Sequence, residues 1–270
     1  MSEKCEQEAT FEMENNPLNN IKRVIGVMSG KGGVGKSTIS VLLAKELIKK
    51  GFKVGILDAD ITGPSIPKLL NLGDSRATQL DGVILPVISE DGIKVMSLNL
   101  LMPDEEQPVI WRGPIIAGVV KQFWTDVLWE ELDYLILDMP PGTGDVALTV
   151  MQSFPIDGIV MVSIPQDLVS MIVAKAINMT RKMNIKIIGL VENMSYIVCP
   201  DCEKEIRMFD NSNTQEFLDK MDIKLIGEFP MSKKIIDVIA NKNNTVNKAL
   251  DDKFKALTEA VIDSVNSNLE

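Results

Sequence analysis

A glycine-rich run near the amino terminus is the part of this sequence whose residue types and spacing most directly predict chemistry. The run reads Gly30-Lys31-Gly32-Gly33-Val34-Gly35-Lys36-Ser37-Thr38, and it fits the phosphate-loop pattern G-x-x-x-x-G-K-[ST]. Glycines allow backbone N–H groups to curl around phosphate oxygens without Cβ clashes, and the helix that follows turns its positive end toward the same anion. We therefore expect residues 30–38 to bind a nucleotide, with Lys36 on the β- and γ-phosphates and Ser37 on Mg²⁺.

Carboxylates at the ends of two apolar runs are expected to complete this site. Asp138 follows Tyr134–Leu137, and Asp58 and Asp60 follow Val54–Leu57. The carboxyl ends of parallel strands form the ligand-binding edge of an α/β sheet, so Asp138 is predicted to hold Mg²⁺. Asp58 and Asp60 are two residues apart on an extended segment and are expected to face the metal and its water together. The competing interpretations are that Asp138 caps a turn and that Asp58 and Asp60 are solvated loop acids.

A second candidate site is the pair Cys199 and Cys202, which forms a C-x-x-C run with Pro200 and Asp201 between the thiols. Thiolates at this spacing can bind one metal centre, and the proline stiffens the turn. An iron–sulfur cubane or a structural zinc site generally has four ligands, whereas this run supplies two thiols and the chain has no histidine. A twofold dimer would supply four thiolates, so the pattern predicts a site shared by two copies. The alternatives are a dimer-bridging zinc site, a thioredoxin-like redox pair and incidental thiols; the third cysteine, Cys5, is interpreted as incidental.

Composition excludes several classes of protein. With no histidine among 270 residues, Ser-His-Asp and Cys-His nucleophilic sites and zinc sites that mix Cys with His are excluded. The 38 Asp and Glu residues outnumber the 28 Lys and Arg, and the net charge of −10 disfavours nucleic acid and anionic membranes as partners. No apolar run approaches the ~18 residues of a membrane span, and the acidic amino terminus does not read as a secretory signal. Because three cysteines also fit a reducing compartment, we expect a cytoplasmic protein.

Short apolar strands that alternate with amphipathic helices must position these residues. This alternation is typical of α/β proteins, and we predict a single doubly wound, mostly parallel sheet flanked by helices. Residues 1–20, rich in Glu and Asn, are expected to be a disordered acidic tail, followed by one domain over residues 21–270 with a cysteine-bearing loop at 195–207. The predicted strands are Val24–Ser29, Val54–Leu57, Tyr134–Leu137, Gly158–Ile164, Ile187–Val191 and Lys224–Ile226, with two further runs within 83–97. The predicted helices are Ser37–Lys50, Pro114–Leu128, Val146–Phe154, Leu168–Met183, Thr214–Met221, Lys233–Ala240 and Val246–Val265.

Lys31, a second lysine directly after the first glycine of the phosphate loop, gives the run a more specific form. K-G-G-x-G-K-S resembles the deviant Walker A motif of MinD-type ATPases. Further runs in the same order, over about residues 22–240, closely resemble the Mrp/ApbC family of iron–sulfur cluster carriers. These runs are Asp58-Ala59-Asp60-Ile61-Thr62-Gly63-Pro64-Ser65-Ile66-Pro67, Trp111-Arg112-Gly113-Pro114, Asp138-Met139-Pro140-Pro141-Gly142-Thr143-Gly144-Asp145, Glu192-Asn193-Met194-Ser195 and the C-x-x-C run.

The resemblance implies a P-loop ATPase fold and a homodimer with two ATP sites near its interface. By this resemblance, Lys31 reaches the phosphates of the partner's nucleotide, Asp60 positions the attacking water, and Asp58 supports the Mg²⁺ shell. Asn193 matches the residue that reads the edge of the adenine. The implied activity is that of an ATP-hydrolysing carrier that assembles a labile [4Fe-4S] cluster across the homodimer and transfers it to apoproteins. Some relatives carry a four-cysteine motif near the amino terminus, but this chain has only Cys5 there, so no second cluster is expected.

Two other classes of ATPase share parts of this pattern. A positioning ATPase of the MinD or ParA type would need a basic face or tail to bind membrane or DNA, whereas residues 251–270 are acidic overall. An ATP-driven electron donor resembling the nitrogenase iron protein would carry its cluster ligands at well-separated positions rather than in one C-x-x-C run. Both therefore rank below the cluster carrier. A [2Fe-2S] cluster, like zinc, is left open at the cysteine pair, and the sequence identifies neither the cluster donor nor the recipients.

Overall fold

Nine strands form the main sheet in the part of the chain that the structure, a computed structural model, describes: residues 16–61, 63–80, 82–102, 113–168, 171–209, 214–241 and 248–267. A separate pair, β3 with β4, lies outside this sheet. The strands are β1 (Asn20–Ser29), β2 (Val54–Asp58), β3 (Thr78–Leu80), β4 (Val83–Leu85), β5 (Val87–Ile88), β6 (Lys94–Ser97), β7 (Glu131–Asp138), β8 (Gly158–Ser163), β9 (Ile187–Val198), β10 (Glu205–Ile206) and β11 (Leu225–Pro230). The α-helices are α1 (Lys36–Lys49), α2 (Ile66–Leu69), α3 (Gly113–Thr125), α4 (Asp145–Ser153), α5 (Pro165–Leu168), α6 (Met171–Lys182), α7 (Thr214–Lys220), α8 (Lys233–Ile239) and α9 (Lys248–Asn266).

The main sheet is parallel except for two short strands. Its order is β10-β9-β8-β1-β7-β2-β6-β5, and β11 also pairs with β9. β10 runs antiparallel to β9, and β5 runs antiparallel to β6, whereas the other pairs are parallel. Parallel neighbours require crossover connections, which place helices on the faces of the sheet. The predicted doubly wound, mostly parallel α/β architecture is therefore confirmed.

Helices on the two faces of the sheet enclose two apolar clusters. One cluster contains Phe123 of α3 and Ile177 of α6, and the other contains Leu43 of α1 and Phe254 of α9. Residues of the central strands contribute to both clusters, because successive side chains of a strand point to opposite faces. This burial on both faces explains why the strands read as continuous apolar runs rather than as an alternating pattern.

The last residues of the segment predicted as an acidic tail, residues 16–20, are structured. Residues 1–15 lie outside the described part of the chain, but residues 16–20 belong to the fold, since β1 begins at the last of them. The Asn19 side-chain amide donates to the carbonyl of Val127 at 2.9 Å, and its Oδ1 accepts from the backbone N–H of Glu130, also at 2.9 Å. The Asn19 amide therefore bonds to the segment that precedes β7.

The prediction of a loop over residues 195–207 is wrong in its first and last parts. β9 continues to Val198, well beyond the predicted end at Val191, and β10 returns antiparallel to it. The polar residues after Val191 are typical of a strand end, and Met194 does adopt a left-handed φ of 55°. The ladder nevertheless continues past this irregularity, because β9 pairs with β11 on one side and with β10 beyond it. The cysteine pair is consequently carried by a β-hairpin.

The remaining boundaries differ from the predictions by a few residues. The segment within 83–97 contains β4, which pairs antiparallel with β3, and the antiparallel pair of β5 and β6. The stretch predicted as one helix over Leu168–Met183 contains α6 and the last residue of α5. The described helices include none that is long and apolar enough to cross a membrane. Five residues that the sequence predictions named lie outside the described residues: Cys5, Thr62, Trp111, Arg112 and Val246.

Candidate functional site

The phosphate loop connects β1 to α1 at the carboxyl edge of the sheet, as predicted. Gly33 and Gly35 have φ angles of 81° and 85°, a region that residues with a Cβ rarely adopt. A Cβ on Gly35 would also lie 2.2 Å from Nδ2 of Asn193, so the close packing there requires glycine. Because α1 begins at Lys36, its first N–H groups adjoin the loop in the arrangement that binds phosphate.

Lys36 and Ser37 converge on Asp138, which is fully buried at the end of β7. Lys36 Nζ lies 2.9 Å from Asp138 Oδ2 and 3.9 Å from Asp60 Oδ2. Ser37 Oγ donates to the same Oδ2 of Asp138 at 2.6 Å. Since Lys36 is only 6% exposed, its ammonium charge needs these carboxylates as partners. The structure thus brings these four predicted site residues together.

Ser40, which the sequence analysis did not identify, holds the other oxygen of Asp138. Its Oγ donates to Asp138 Oδ1 at 2.8 Å, and the side chain is fully buried. Ser40 follows Ser37 by three residues, so both hydroxyls lie on one side of α1. That spacing of two small hydroxyl residues was the available signal. Both oxygens of Asp138 are therefore held by α1.

Asp58 and Asp60 have different surroundings. Asp58 is fully buried, and its Oδ2 accepts the N–H groups of Ser65 at 2.9 Å and Ile66 at 3.1 Å, while Oδ1 accepts the N–H of Asp60 at 3.2 Å. Burial, followed by the neighbouring negative charge of Asp138, raises the pKa of Asp58 to about 8. The Asp60 side chain instead lines the groove beside the phosphate loop. Asp58 therefore fixes the turn that carries Asp60, and Asp60 is the one presented to a ligand.

Two contiguous grooves extend from the phosphate loop. The first has a volume of about 630 Å³ and is lined by the loop and Asp60, and the second has about 490 Å³ and is lined by Asn193. Thr38 and Ile236 line both grooves, so one extended ligand could occupy the two. Their volumes fall within the ~300–1,000 Å³ of small-molecule sites. Asn193 also supports the loop itself, because its Nδ2 donates to the carbonyl of Val34 at 2.9 Å.

Lys31 lies on the outer side of the phosphate loop. Its side chain is exposed and is not among the described residues that line the groove, while its carbonyl accepts a hydrogen bond from Ser29 Oγ at 2.9 Å. The two lysines of the motif therefore occupy different positions, Lys36 inside the groove and Lys31 outside it. The contact of Lys31 with a partner's nucleotide stays a prediction.

Cys199 and Cys202 are free thiols at the tip of the β9–β10 hairpin, the first half-buried and the second exposed. The turn is closed by the N–H of Cys199 to the carbonyl of Lys204 and by the N–H of Glu203 to the carbonyl of Cys199, both at 3.0 Å. Hydrogen bonds from the backbone N–H groups of Cys202 and Asp201 lower the pKa of the Cys199 thiol. Within the described ranges, no group of three or more metal-ligating side chains occurs. The pair supplies two thiols, fewer than the four ligands that a metal centre commonly uses.

Charged side chains connect the base of the hairpin to the sheet. Arg207 forms a two-point ion pair with Glu228 of β11, with Nη2 3.1 Å from Oε2, and its guanidinium lies 5.6 Å from the ring centre of Tyr196. Glu228 stands opposite Glu192 of β9. Burial and the adjoining Glu228 raise the pKa of Glu192 to about 7, while Arg207 lowers the pKa of Glu228. Sequence reasoning missed the Arg207–Glu228 pair because it depends on the pairing of β9 with β11.

Comparison with known families and proteins places the chain among carriers of iron–sulfur clusters. Residues 20–266 match the ParA family model, described as NUBPL iron-transfer P-loop NTPase. The iron-sulfur cluster carrier protein of Clostridium perfringens is 52% identical over 229 residues, which cover 82% of this chain and 80% of the relative. That of Methanocaldococcus jannaschii is 42% identical over 258 residues, covering 94% of this chain and 88% of the relative. The match thus includes both the phosphate loop and the hairpin.

Solved structures agree with this placement. A nucleotide-binding protein from Archaeoglobus fulgidus, in complex with ADP, has a TM-score of 0.73 and 42% identity, covering 84% of this chain and 90% of that chain. The cell division ATPase MinD of Pyrococcus furiosus has a TM-score of 0.63 and covers 90% of this chain and 99% of that chain. At 20% identity, the MinD likeness shows the fold alone. The predicted MinD-like P-loop fold is confirmed.

Proposed function

This chain belongs to the NUBPL family of iron-transfer P-loop NTPases, and we propose that it is an ATP-hydrolysing carrier that assembles a labile [4Fe-4S] cluster across a homodimer and delivers it to apoproteins. The observation that carries the proposal is that one strand joins two sites. β9 contributes Asn193 to the nucleotide groove and ends where Cys199 begins the hairpin turn. A change at the nucleotide can therefore reach the thiols through a single element.

Lys36 is proposed to bind the β- and γ-phosphates of ATP. Its ammonium is already at the groove and is shared between Asp138 and Asp60. Phosphate oxygens bound by the loop N–H groups would compete for the same ammonium. Because Ser40 and Ser37 both contact Asp138, that carboxylate would keep its position when the lysine moves.

Mg²⁺ fits the donor atoms at the end of β7. Ser37 and Asp138 provide the oxygen ligands that this ion prefers, and the two side chains already touch. We assign them as its protein ligands, with Asp58 behind them as support of the shell. When bound, the ion would neutralise charge on the β- and γ-phosphates.

Asp60 is proposed to position the attacking water, because its carboxylate lines the groove 3.9 Å from Lys36 Nζ. The chain has no histidine that could act as a base, so this role falls to a carboxylate and bound water. Lys31, exposed on the outer side of the loop, is proposed to reach the phosphates of the partner's nucleotide, and Asn193 to read the adenine edge.

The cysteine hairpin is proposed to hold the cargo. A half-site of two exposed or half-exposed thiols suits a cluster that must be handed on, because recipient thiolates can approach each ligand in turn. Two chains related by a twofold axis would complete the four ligands of a cubane. The same dimer would bring Lys31 to the second nucleotide site.

Anaerobic reconstitution with iron and sulfide tests the proposal. The native chain is expected to bind about four iron and four sulfide per dimer, with the absorption spectrum of a [4Fe-4S] centre and the mass of a dimer by light scattering. ATP turnover and transfer of the cluster to an apo-ferredoxin are measured on the same preparation. About two iron and two sulfide, or zinc alone, would contradict the [4Fe-4S] assignment, and full iron on a monomer would contradict the shared site. Absence of ATP turnover would contradict the hydrolytic role.

A further inference from the structure

Arg207 makes contacts that neither the phosphate loop nor the thiols explain. It directly follows β10, the strand that returns from the cysteine turn. Its two terminal nitrogens meet the two carboxylate oxygens of Glu228, with Nη2 at 3.1 Å from Oε2. A planar two-point contact fixes orientation as well as distance, which a single-point ion pair does not.

The partners of Arg207 are themselves held in place. Glu228 belongs to β11 and stands opposite the buried Glu192 in the parallel pair of β11 with β9. The Tyr196 ring, only 3% exposed, lies 5.6 Å from the guanidinium of Arg207 and 4.8 Å from Nζ of Lys253 on α9. Arg207 therefore connects the end of β10 to β11, and it also contacts Tyr196 on β9, the other strand of the hairpin.

The hydrogen-bonded ladder between the two strands of the hairpin is short. β10 pairs with β9 through Glu205 with Val198 and Ile206 with Ile197. Val198 and Ile206 are 40% and 48% exposed, so little apolar burial supports this ladder. A two-stranded hairpin of such length is marginally stable on its own. Because the pairing of β9 with β11 ends at Tyr196, contacts at the base of the hairpin add to the support of its outer part.

We propose that Arg207 is a positioning residue for the cysteine pair: its two-point ion pair with Glu228 fixes the angle of the hairpin and thereby the place where Cys199 and Cys202 are presented. The inference rests on the proposed function, in which the thiolates of two hairpins must converge on one cluster. A hairpin that swings more widely brings the four thiolates together less often. Loss of the ion pair therefore weakens the hold on iron without affecting nucleotide binding.

The test compares variants of the ion pair with a matched control. Arg207→Met keeps most of the length of the side chain and removes its donors, and Arg207→Lys keeps the charge without the two-point geometry. Arg23→Met is the control, because Arg23 Nη1 pairs with Asp157 at 3.2 Å near the amino end of β1, the opposite end of the sheet from the hairpin. The exchanged pair, Arg207→Glu with Glu228→Arg, tests whether the contact itself matters.

Amide hydrogen exchange of the metal-free chain is the first measurement. Arg207→Met is expected to accelerate exchange over residues 196–207 about fivefold, the effect of losing an interaction of about 1 kcal/mol. Arg207→Lys should lie between the native chain and Arg207→Met, while Arg23→Met and the exchanged pair should exchange at close to the native rate. After reconstitution, a chelator should remove iron several-fold faster from Arg207→Met, with ATP affinity unchanged.

Native exchange over 196–207 in Arg207→Met, or equal acceleration there in Arg23→Met, would overturn the positioning role. So would an exchanged pair that behaves like Arg207→Met, or iron release at the native rate despite faster exchange. The exchange measurement needs no cluster. If the native chain takes up no iron, the proposed function fails, while the same data still decide whether Arg207 holds the hairpin.

Discussion

The phosphate loop and the cysteine hairpin are built in opposite ways. At the loop, side chains of a single chain already contact one another, and Asp138 is buried with both of its oxygens hydrogen-bonded to α1. At the hairpin, two thiols stand on a turn closed by backbone hydrogen bonds, and the described part of the chain adds no third metal ligand. One site is a preformed groove, and the other is an exposed turn with two thiols.

The difference follows from what each site must do. A groove that binds the same polyanion in every cycle binds it more tightly when its charged side chains are already fixed in place. The free-energy cost of removing these charges from water is then met on folding and not again on binding. A site that hands on its cargo gains from exposure, because incoming thiolates must reach the metal.

Cys199→Ala and Cys202→Ala are each expected to reduce iron in the reconstituted protein to background. Each change removes one of the two thiols that a chain would contribute to the proposed shared site. ATP affinity should remain within about twofold, because the two sites share no side chain. Iron and sulfide analysis with nucleotide titration checks both statements, and Cys5→Ala is the control that should keep native iron. Unchanged iron in either variant would refute the assignment.

Lys36→Ala is expected to weaken ATP binding about 100-fold, since a buried charge pair with phosphate is worth roughly 2–5 kcal/mol. Iron uptake on reconstitution should be native, because the hairpin is separate. The variant leaves the carboxylate of Asp138 buried without its ammonium, which would lower the free energy of unfolding. Adding Asp138→Asn should recover part of that stability but not ATP binding. Native turnover in Lys36→Ala would exclude this site.

Ser40→Ala is expected to lower Mg²⁺-dependent ATP turnover about tenfold while changing ATP affinity less. The variant frees Oδ1 of Asp138, and a hydrogen bond to a charged group is worth about 1.5–3 kcal/mol. A control is Thr258→Val, which removes another buried hydroxyl, bonded within its own helix α9. Steady-state kinetics at varied Mg²⁺ concentration would separate the effect on turnover from the effect on ATP affinity. An equal loss of turnover in Ser40→Ala and Thr258→Val would assign the effect to lower stability.

Glu192→Gln is expected to flatten the pH dependence of stability between about pH 4.3 and 7. Glu192 has a folded pKa of about 7, above its unfolded value near 4.3, so the folded chain binds this proton more tightly. Its contribution is full below pH ~4.3 and is lost as pH rises toward 7. Glu228, whose pKa is lowered chiefly by Arg207, acts in the opposite direction below that window.

The measurement for Glu192→Gln is the midpoint of urea unfolding at a series of pH values. Glu216→Gln, an exposed change on α7, should retain the native slope. A native slope in Glu192→Gln would show that other groups carry the pH dependence. The comparison also distinguishes the contribution of Glu192 and Glu228 to the pH dependence of stability from that of the carboxylates in the nucleotide groove.

The features that the sequence predicted well depend on residues that are adjacent along the chain. The phosphate loop is a continuous run, and Asp138 ends a plainly apolar strand, so local pattern places both. Ser40 was missed because its spacing from Ser37 shows only that both hydroxyls share one side of α1, and their common partner Asp138 is known only once β7 is placed beneath the helix. Arg207 and Glu228 are 21 positions apart and meet through pairing of β11 with β9, which no local pattern contains.

The hairpin was misread for a related reason. Asn193 and Ser195 are typical of a strand end, and Pro200 of a loop, so local preference favours an irregular segment. In the structure, Asn193 is buried against the phosphate loop and its backbone stays in the ladder of β9. Tertiary contacts therefore outweigh local preference at the point where the strand enters the nucleotide site.

The strand β9 also restricts how this chain can change in length. Asn193 and Cys199 are six positions apart, which corresponds to at most about 20 Å at ~3.3 Å per residue. Inserting or deleting one residue between them would turn the following side chains to the opposite face of the sheet. A change of length there would therefore misplace either the nucleotide contact or the thiols. Additional residues can therefore be accommodated only beyond Val198, in the turn itself.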